Sequence, residues 1–221
     1  MIWRIDDIGA STKQFRSKPW GPYQELTVRE WAAALDVFGQ HHVQPIIAIT
    51  ASWVDKRSRL IPFHQKFPDQ AQILKKAWRN NLITVANHGL THCVVGKHLP
   101  HFWSDNRSYH REFWPNLPQA THTKHVLDSQ HILEQYFERA VTKFVPPGNV
   151  WSKKTYQALK QTNIKQVICN HYMLDAPRRE MDAISFIDDR HNFFVCHDRD
   201  IKLNGLKWLK AALNRRQVHA G

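Results

Sequence analysis

The chain has 221 residues, with 31 Lys and Arg against 19 Asp and Glu, and a formal charge of +12 when its 15 His are counted as neutral. That surplus points to anionic partners: nucleic acid, acidic lipid headgroups, or anionic glycans and nucleotide sugars. A hydrophobic content of 42%, with 11% aromatics, excludes an intrinsically disordered chain.

Short β-rich runs alternate with helical patterns. Strands are expected at Ile2–Asp6, Pro45–Thr50, Leu82–Asn87, Thr142–Pro146, Lys165–Asn170, Ala183–Ile187 and Asn192–His197. Helices are expected at Thr27–Gln40, Asp69–Asn80, Thr121–Arg139, Ser152–Thr162 and Ile201–Arg215. The first helix opens on a capping box, Thr27-Val28-Arg29-Glu30, and then puts Trp31, Leu35 and Phe38 on one face. The alternation predicts an α/β fold, a distorted and incomplete (β/α) barrel of about seven largely parallel strands. Residues 1–221 read as one domain, with an irregular insertion at 93–117 that carries His98, His101, Phe102, Trp103, Tyr109, His110, Phe113 and Trp114. Such a loop suits either a substrate wall or an aromatic plug closing the barrel.

Chemistry collects at the C-terminal ends of the strands. Asp6-Asp7, Ser52-Trp53, His88 and His92, Pro147-Gly148-Asn149, His171, Asp188-Asp189 and His197-Asp198 each follow or end an apolar run. In this class of fold, the loops after the strands form the active face. Adjacent carboxylates in an extended segment point opposite ways, so one can face a cation while the other stands beside it. His88 and His92 are four apart, and one helical turn would bring their rings to the same side, with Gly89 relaxing the backbone between them. His122 and His125, in contrast, lie in a polar helical pattern and read as solvated. Phe144-Val145-Pro146-Pro147-Gly148-Asn149 makes a stiff turn whose glycine lets main-chain N–H groups approach a ligand. Phe193-Phe194-Val195-Cys196-His197-Asp198 delivers an imidazole to the same edge.

Taken in order, these four segments resemble the polysaccharide deacetylase superfamily, the NodB-homology domains, over Asp6 to Asp198. The resemblance implies a metal-dependent hydrolase of an amide bond. It implies that Asp7, His88 and His92 hold a divalent metal, most simply Zn²⁺. Asp6 would be the general base and His197 the general acid, with a main-chain N–H of the Pro147-Gly148-Asn149 turn on the oxyanion. The substrate implied is an N-acetylated, or N-formylated, amino sugar of cell-surface polysaccharide or lipopolysaccharide assembly. The chain departs from the family pattern at Val145, where many members carry an Arg that orients the base, and at Gly148, where an aromatic is common. Lys143, Asp175, Asp188 and Asp189 are candidates for the missing orienting groups. The alternatives are a hydrolase of a small non-sugar amide and a glycan-binding module that has lost catalysis.

No charged-then-apolar leader precedes the first strand, so a cytoplasmic enzyme is expected, one able to meet nucleotide- or lipid-linked sugars at the inner membrane face. Leu203, Leu206, Leu209 and Leu213 form a stripe flanked by Lys202, Lys207, Lys210, Arg215 and Arg216. It suits peripheral contact with an anionic membrane, or, more simply, packing onto the sheet. Without a helix-turn-helix, RNP or zinc-finger signature, no specific nucleic-acid binding is expected. Cys93, Cys169 and Cys196 show no zinc-ribbon spacing and read as reduced, packed thiols.

Overall fold

The computed structural model describes residues 1–12, 24–55, 57–93, 112–178 and 181–217, the side chains of 216 and 217 excepted. Seven strands form one sheet: β1 (Ile2–Ile8), β2 (Ile46–Ile49), β5 (Thr84–Asn87), β6 (Lys143–Phe144), β7 (Gln166–Cys169), β8 (Ser185–Asp188) and β9 (Phe193–His197). Their order is β8-β7-β6-β5-β2-β1-β9 and every pairing is parallel. A two-stranded antiparallel hairpin, β3 (Ser52–Val54) with β4 (Leu60–Pro62), stands apart.

The connection between β8 and β9 shows that the sheet curls. These strands are its two edges, yet only the four residues of α6 (Asp189–Asn192) join them. Laid flat, seven strands would put those edges about 29 Å apart. The chain from Asp188 to Phe193 spans roughly 18 Å at most. Curling into an incomplete barrel is the only way to bring the edges within reach, as the strand and helix alternation predicts.

Alternation along the strands sorts side chains into two layers. Outside the curl, Trp3, Ile5, Ile47, Ile49, Val85, Phe144 and Val167 join a large core with the helices. Inside, Ile46, Ala48, Ala86, Val145 and Ile168 form a small apolar wall.

The helices form largely where capping and periodicity place them. Thr27 accepts from the Glu30 N–H, and the Glu30 carboxylate accepts from the Thr27 N–H at 2.7 Å, so α1 (Val28–Gln40) begins with its box closed. The others are α2 (Phe63–Lys66), α3 (Pro68–Arg79), α4 (Gln119–Phe137), α5 (Lys153–Leu159) and α7 (Asp198–Gln217). The stripe on α7 is split by Gly205, at φ 71°. Leu209 and Leu213 are buried against the body while Leu203 is 60% exposed, so most of the stripe is core. No helix among the described residues is long and apolar enough to cross a membrane.

Most element ends shift by a few residues from expectation, and two strand boundaries and one added hairpin have a clear physical cause. Leu82 closes the end of α3 through a bond from its N–H to the Ala77 carbonyl, so β5 starts at Thr84. Strand β6 shrinks to two residues because Pro146 and Pro147 have no N–H to offer a ladder. The β3–β4 hairpin, unforeseen, is too short to show a period. Of the irregular segment, His98, His101, Phe102, Trp103, Tyr109 and His110 lie outside the described residues, while Phe113 is buried edge-on against Phe144.

Candidate metal and catalytic site

The first component is a bulge at the end of β1. Ile5 pairs with Ile47 and Ile8 with Ile49, so three residues of β1 advance against two of β2, and the irregularity falls at Asp6-Asp7. Bulges of this kind re-aim side chains. Asp7 sits at φ 70°, a left-handed conformation that is unfavourable for a residue with a Cβ. The chain then turns through Gly9, where a Cβ would lie 2.8 Å from the Phe63 ring and 2.9 Å from the Thr50 carbonyl. Buried Glu25 accepts from the Gly9 N–H at 2.8 Å and fixes this turn.

The second component follows β5. Asn87 accepts from the Gly89 N–H and donates to Ser129 and Gln130 on α4, which pins the strand end. His88 lies 2.7 Å through Nδ1 from the Val145 carbonyl. A carbonyl only accepts, so Nδ1 carries the proton and Nε2 presents its lone pair. That Nε2 is buried without a hydrogen-bond partner, 3.5 Å from the Asp7 carboxylate. His92 Nε2 lies 3.2 Å from the same Asp7 oxygen. One ligand atom from each of Asp7, His88 and His92 falls within 4.8 Å of the others, and all three residues are buried. An orphaned imidazole nitrogen aimed at a carboxylate and a second imidazole is the donor chemistry of a zinc-type site, so these residues fit a divalent metal.

His88 and His92 are not brought together by the helical turn expected from their spacing. Residues 90–93 form a bend, and His92 is at φ 62°. What shapes the bend is Glu112, which the sequence reading missed. Its fully buried carboxylate accepts main-chain N–H groups from Leu90 (2.9 Å), Thr91 (3.2 Å) and His92 (2.9 Å), and meets His125 Nδ1 at 2.5 Å. Gly89 is required here as well: a Cβ would lie 2.2 Å from the Glu112 carboxylate and 2.9 Å from Pro147. His122 and His125 are therefore not solvated. His122 is 1% exposed, bonded to Thr155 and to the Trp114 carbonyl, and burial lowers its pKa to about 4.

Asp6 points into the barrel, where Arg4 meets it. Nε and Nη2 of Arg4 fork onto the two carboxylate oxygens at 2.9 and 2.8 Å, and Nη1 reaches Asp189, beyond β8, at 2.5 Å. Burial works against this guanidinium charge, but Asp6 and Asp189 outweigh it and hold its pKa above the ordinary value. The sequence signal was present: Arg4 and Asp6 share a face of β1 by alternation, and an Arg inside an apolar strand needs a counter-charge.

His197 closes β9 in register with Asp6, on the adjacent parallel strand. It is half-buried, its N–H donates to Asp200 at 2.8 Å, and its Nδ1 lies 3.5 Å from the same oxygen. Burial raises the Asp200 pKa, but the bonds from His197 prevail and hold it below the usual carboxylate value. In the turn after β6, Pro147 packs toward Gly89, while Gly148 (φ 60°) and Asn149 (φ 58°) are both left-handed. Gly148 is exposed at the surface, and the Asn149 N–H is used within the turn by the Pro146 carbonyl. Of the groups proposed to replace the missing Arg, only Asp189 joins the Asp6 network. Asp188 pairs with Arg190, Asp175 accepts from the Lys153 N–H, and Lys143 meets Gln166.

A curled parallel sheet with an Asp-His-His donor set at its C-terminal mouth, beside a buried carboxylate gripped by Arg, defines an incomplete-barrel α/β protein with a candidate metal centre. A sequence profile described as polysaccharide deacetylase matches residues 21–167, about two-thirds of the chain, and the chain belongs to that family. The matched span includes His88, His92 and the Pro146-Pro147 turn but neither Asp6-Asp7 nor His197. No curated protein matches the chain in sequence.

Among solved structures, the Xyl-CE4 domain of a multidomain xylanase from the hindgut metagenome of Trinervitermes trinervoides is 13% identical with a TM-score of 0.50, over 97% of this chain and 82% of that one. BA3943 from Bacillus anthracis, a CE4 family pseudoenzyme, is 10% identical with a TM-score of 0.51, over 97% and 60%. IcaB from Ammonifex degensii is 13% identical with a TM-score of 0.49, over 74% and 61%, so the chain is matched to less than two-thirds of that protein's length. At these identities the likeness to the first two shows the fold alone.

Proposed function

We propose that this chain is a metal-dependent amide hydrolase that removes an N-acetyl, or N-formyl, group from an amino sugar. The observation that carries this reading is the convergence of Asp7, His88 and His92 beside an Asp6 carboxylate whose two oxygens are held by Arg4. Asp7, His88 and His92 would hold the metal, Zn²⁺ being the simplest fit to one oxygen and two nitrogens. Such an ion, when bound, makes water acidic enough to attack near neutral pH and polarises the acyl oxygen.

The chain's own residues do the rest. Asp6 takes the proton from the attacking water as the new C–O bond forms, and His197 gives a proton to the departing amine nitrogen as the C–N bond breaks. Acetate and the free amine leave. Asp200 holds the His197 ring by its Nδ1 side. Pro147, Gly148 and Asn149 form the wall on the acyl side, and with the Asn149 N–H used inside its own turn, the oxyanion donor is best sought at Gly148.

The +12 charge favours anionic substrates, and nucleotide- or lipid-linked sugars of cell-surface polysaccharide or lipopolysaccharide assembly fit it. A cytoplasmic enzyme working at the inner membrane face is the setting in which such substrates are met.

A second reading, a glycan-binding module without catalysis, is supported by Val145 and by the description of BA3943 as a pseudoenzyme. One experiment separates the two: zinc-loaded protein assayed for acetate release from a panel of N-acetylated sugar nucleotides, lipid-linked sugars and free oligosaccharides, with Asp6→Asn alongside. Turnover lost in Asp6→Asn while zinc stays bound supports the enzyme. No turnover by the native chain with zinc bound, together with unchanged glycan affinity in Asp6→Asn, overturns it.

A further inference from the structure

Val145 removes the arginine that many family members use to orient the catalytic carboxylate, yet the barrel interior is not without one. We propose that Arg4 takes that part from a different strand, as the positioning residue for Asp6, with Asp189 holding its far side. The inference rests on Asp6 being the base.

Arg4 is 1% exposed and enters the barrel two residues before Asp6, on the same face of β1. Ile46 stands next to it in the β1–β2 register, and Ile46 and Val145 belong to the same apolar wall. A guanidinium in such surroundings needs carboxylate partners, and the two it has lie on opposite sides of the gap in the sheet. The fork fixes the plane of the Asp6 carboxylate, because both oxygens accept from one rigid group. Asp189 fixes the fork in turn, since its bond from Nη1 stops the guanidinium rotating about its stem. A base one residue from a metal ligand gains from this: it cannot drift onto the metal side, and its free lone pairs keep one direction. Valine at 145 then follows, because a second arginine in this small interior would bring a like charge against Arg4.

Lysine cannot replace the fork, since one ammonium can meet Asp6 or Asp189 but cannot span both. The test uses Arg4→Lys and the neutral pair Arg4→Gln with Asp189→Asn, each zinc-loaded, on a sugar that the native chain turns over. Both are expected to lower kcat by about 10- to 100-fold with KM and zinc affinity changed by less than about threefold. Their crystal structures should show the Asp6 carboxylate turned out of its native plane. Unchanged kcat in both variants overturns the proposal. So does a fall in zinc affinity that tracks the fall in kcat, which would make Arg4 a prop for the whole mouth. If the native chain turns over no sugar, the deacetylase reading fails by itself. The crystal structures then still decide on Arg4, since an Asp6 carboxylate unmoved in both variants overturns its positioning role.

Discussion

Glu112→Gln isolates the group that shapes the His88–His92 bend. The side chain keeps its shape, but one oxygen becomes an NH₂. One carboxylate oxygen of Glu112 accepts from Leu90 and His125, the other from His92, and Thr91 is shared between them. Placing the NH₂ on the His92 side sets it against two N–H donors. Placing it on the His125 side is cheaper, because a neutral imidazole can accept there, but it still strands the Leu90 N–H. A buried donor left unmet costs about 1–3 kcal/mol, and the remaining bonds lose the strengthening that the negative charge gave them. A loss of about 2–4 kcal/mol in the metal-free protein follows. The same loosening reaches His92, so zinc affinity should fall by about 10- to 100-fold. Urea unfolding of the metal-free chain gives the first number, and competition with a chromophoric chelator gives the second. A metal-free stability within about 0.5 kcal/mol of native, with unchanged zinc affinity, would refute the role given to Glu112.

Gly89→Ala should cost at least as much, because its Cβ falls 2.2 Å from the Glu112 carboxylate at a φ of +77°, and circular dichroism melting with zinc titration would show both losses. His122 is held neutral by burial with a pKa of about 4 against 6.5 when exposed. The unfolded chain binds its proton first, so this contribution is complete above pH 6.5 and is lost as pH falls from 6.5 to 4. It amounts to about 2–3 kcal/mol, and a His122→Gln chain should show a correspondingly flatter urea midpoint over that window. Burial pushes the Cys93 and Cys169 thiols up to about 12 and Cys196 well above its usual value. Iodoacetamide at pH 8 should therefore label none of the 3 cysteines in the folded chain and all of them in urea, as mass spectrometry would count.

The seven sheet strands were legible because each is a short apolar run ending in a polar residue, and parallel strands covered on the outside by helices give that pattern. The capping box at Thr27 was legible because its signal is equally local. Asp6, Asp7, His88 and His92 could be paired in advance because strand ends of a parallel sheet meet at one edge. The bulge at Asp6-Asp7 could not, since it is set by register against β2 and leaves no mark in composition. Glu112 was hidden in an aromatic stretch without period, and its role depends on three N–H groups some twenty residues away. His125 looked solvated for the linked reason: a histidine on a polar helix is buried only if a carboxylate waits opposite it.

The two turns that carry the candidate ligands Asp7 and His92 meet one physical problem in the same way. A strand that continued straight would carry Asp7 and His92 away from each other, so each turn adopts left-handed backbone at the candidate ligand, φ 70° at Asp7 and 62° at His92, and adds a glycine at φ 77°. Such conformations cost about 1–3 kcal/mol each at a residue with a side chain and persist only where neighbours over-determine them. Here a buried glutamate does so in each loop: Glu25 through the Gly9 N–H, Glu112 through three consecutive N–H groups. The two turns are thus shaped by the protein's own hydrogen bonds. It follows that zinc binding should be accompanied by little change in the far-ultraviolet circular dichroism. A large gain in ordered structure on adding zinc would show instead that the ion folds these loops, and that the two glutamates do not.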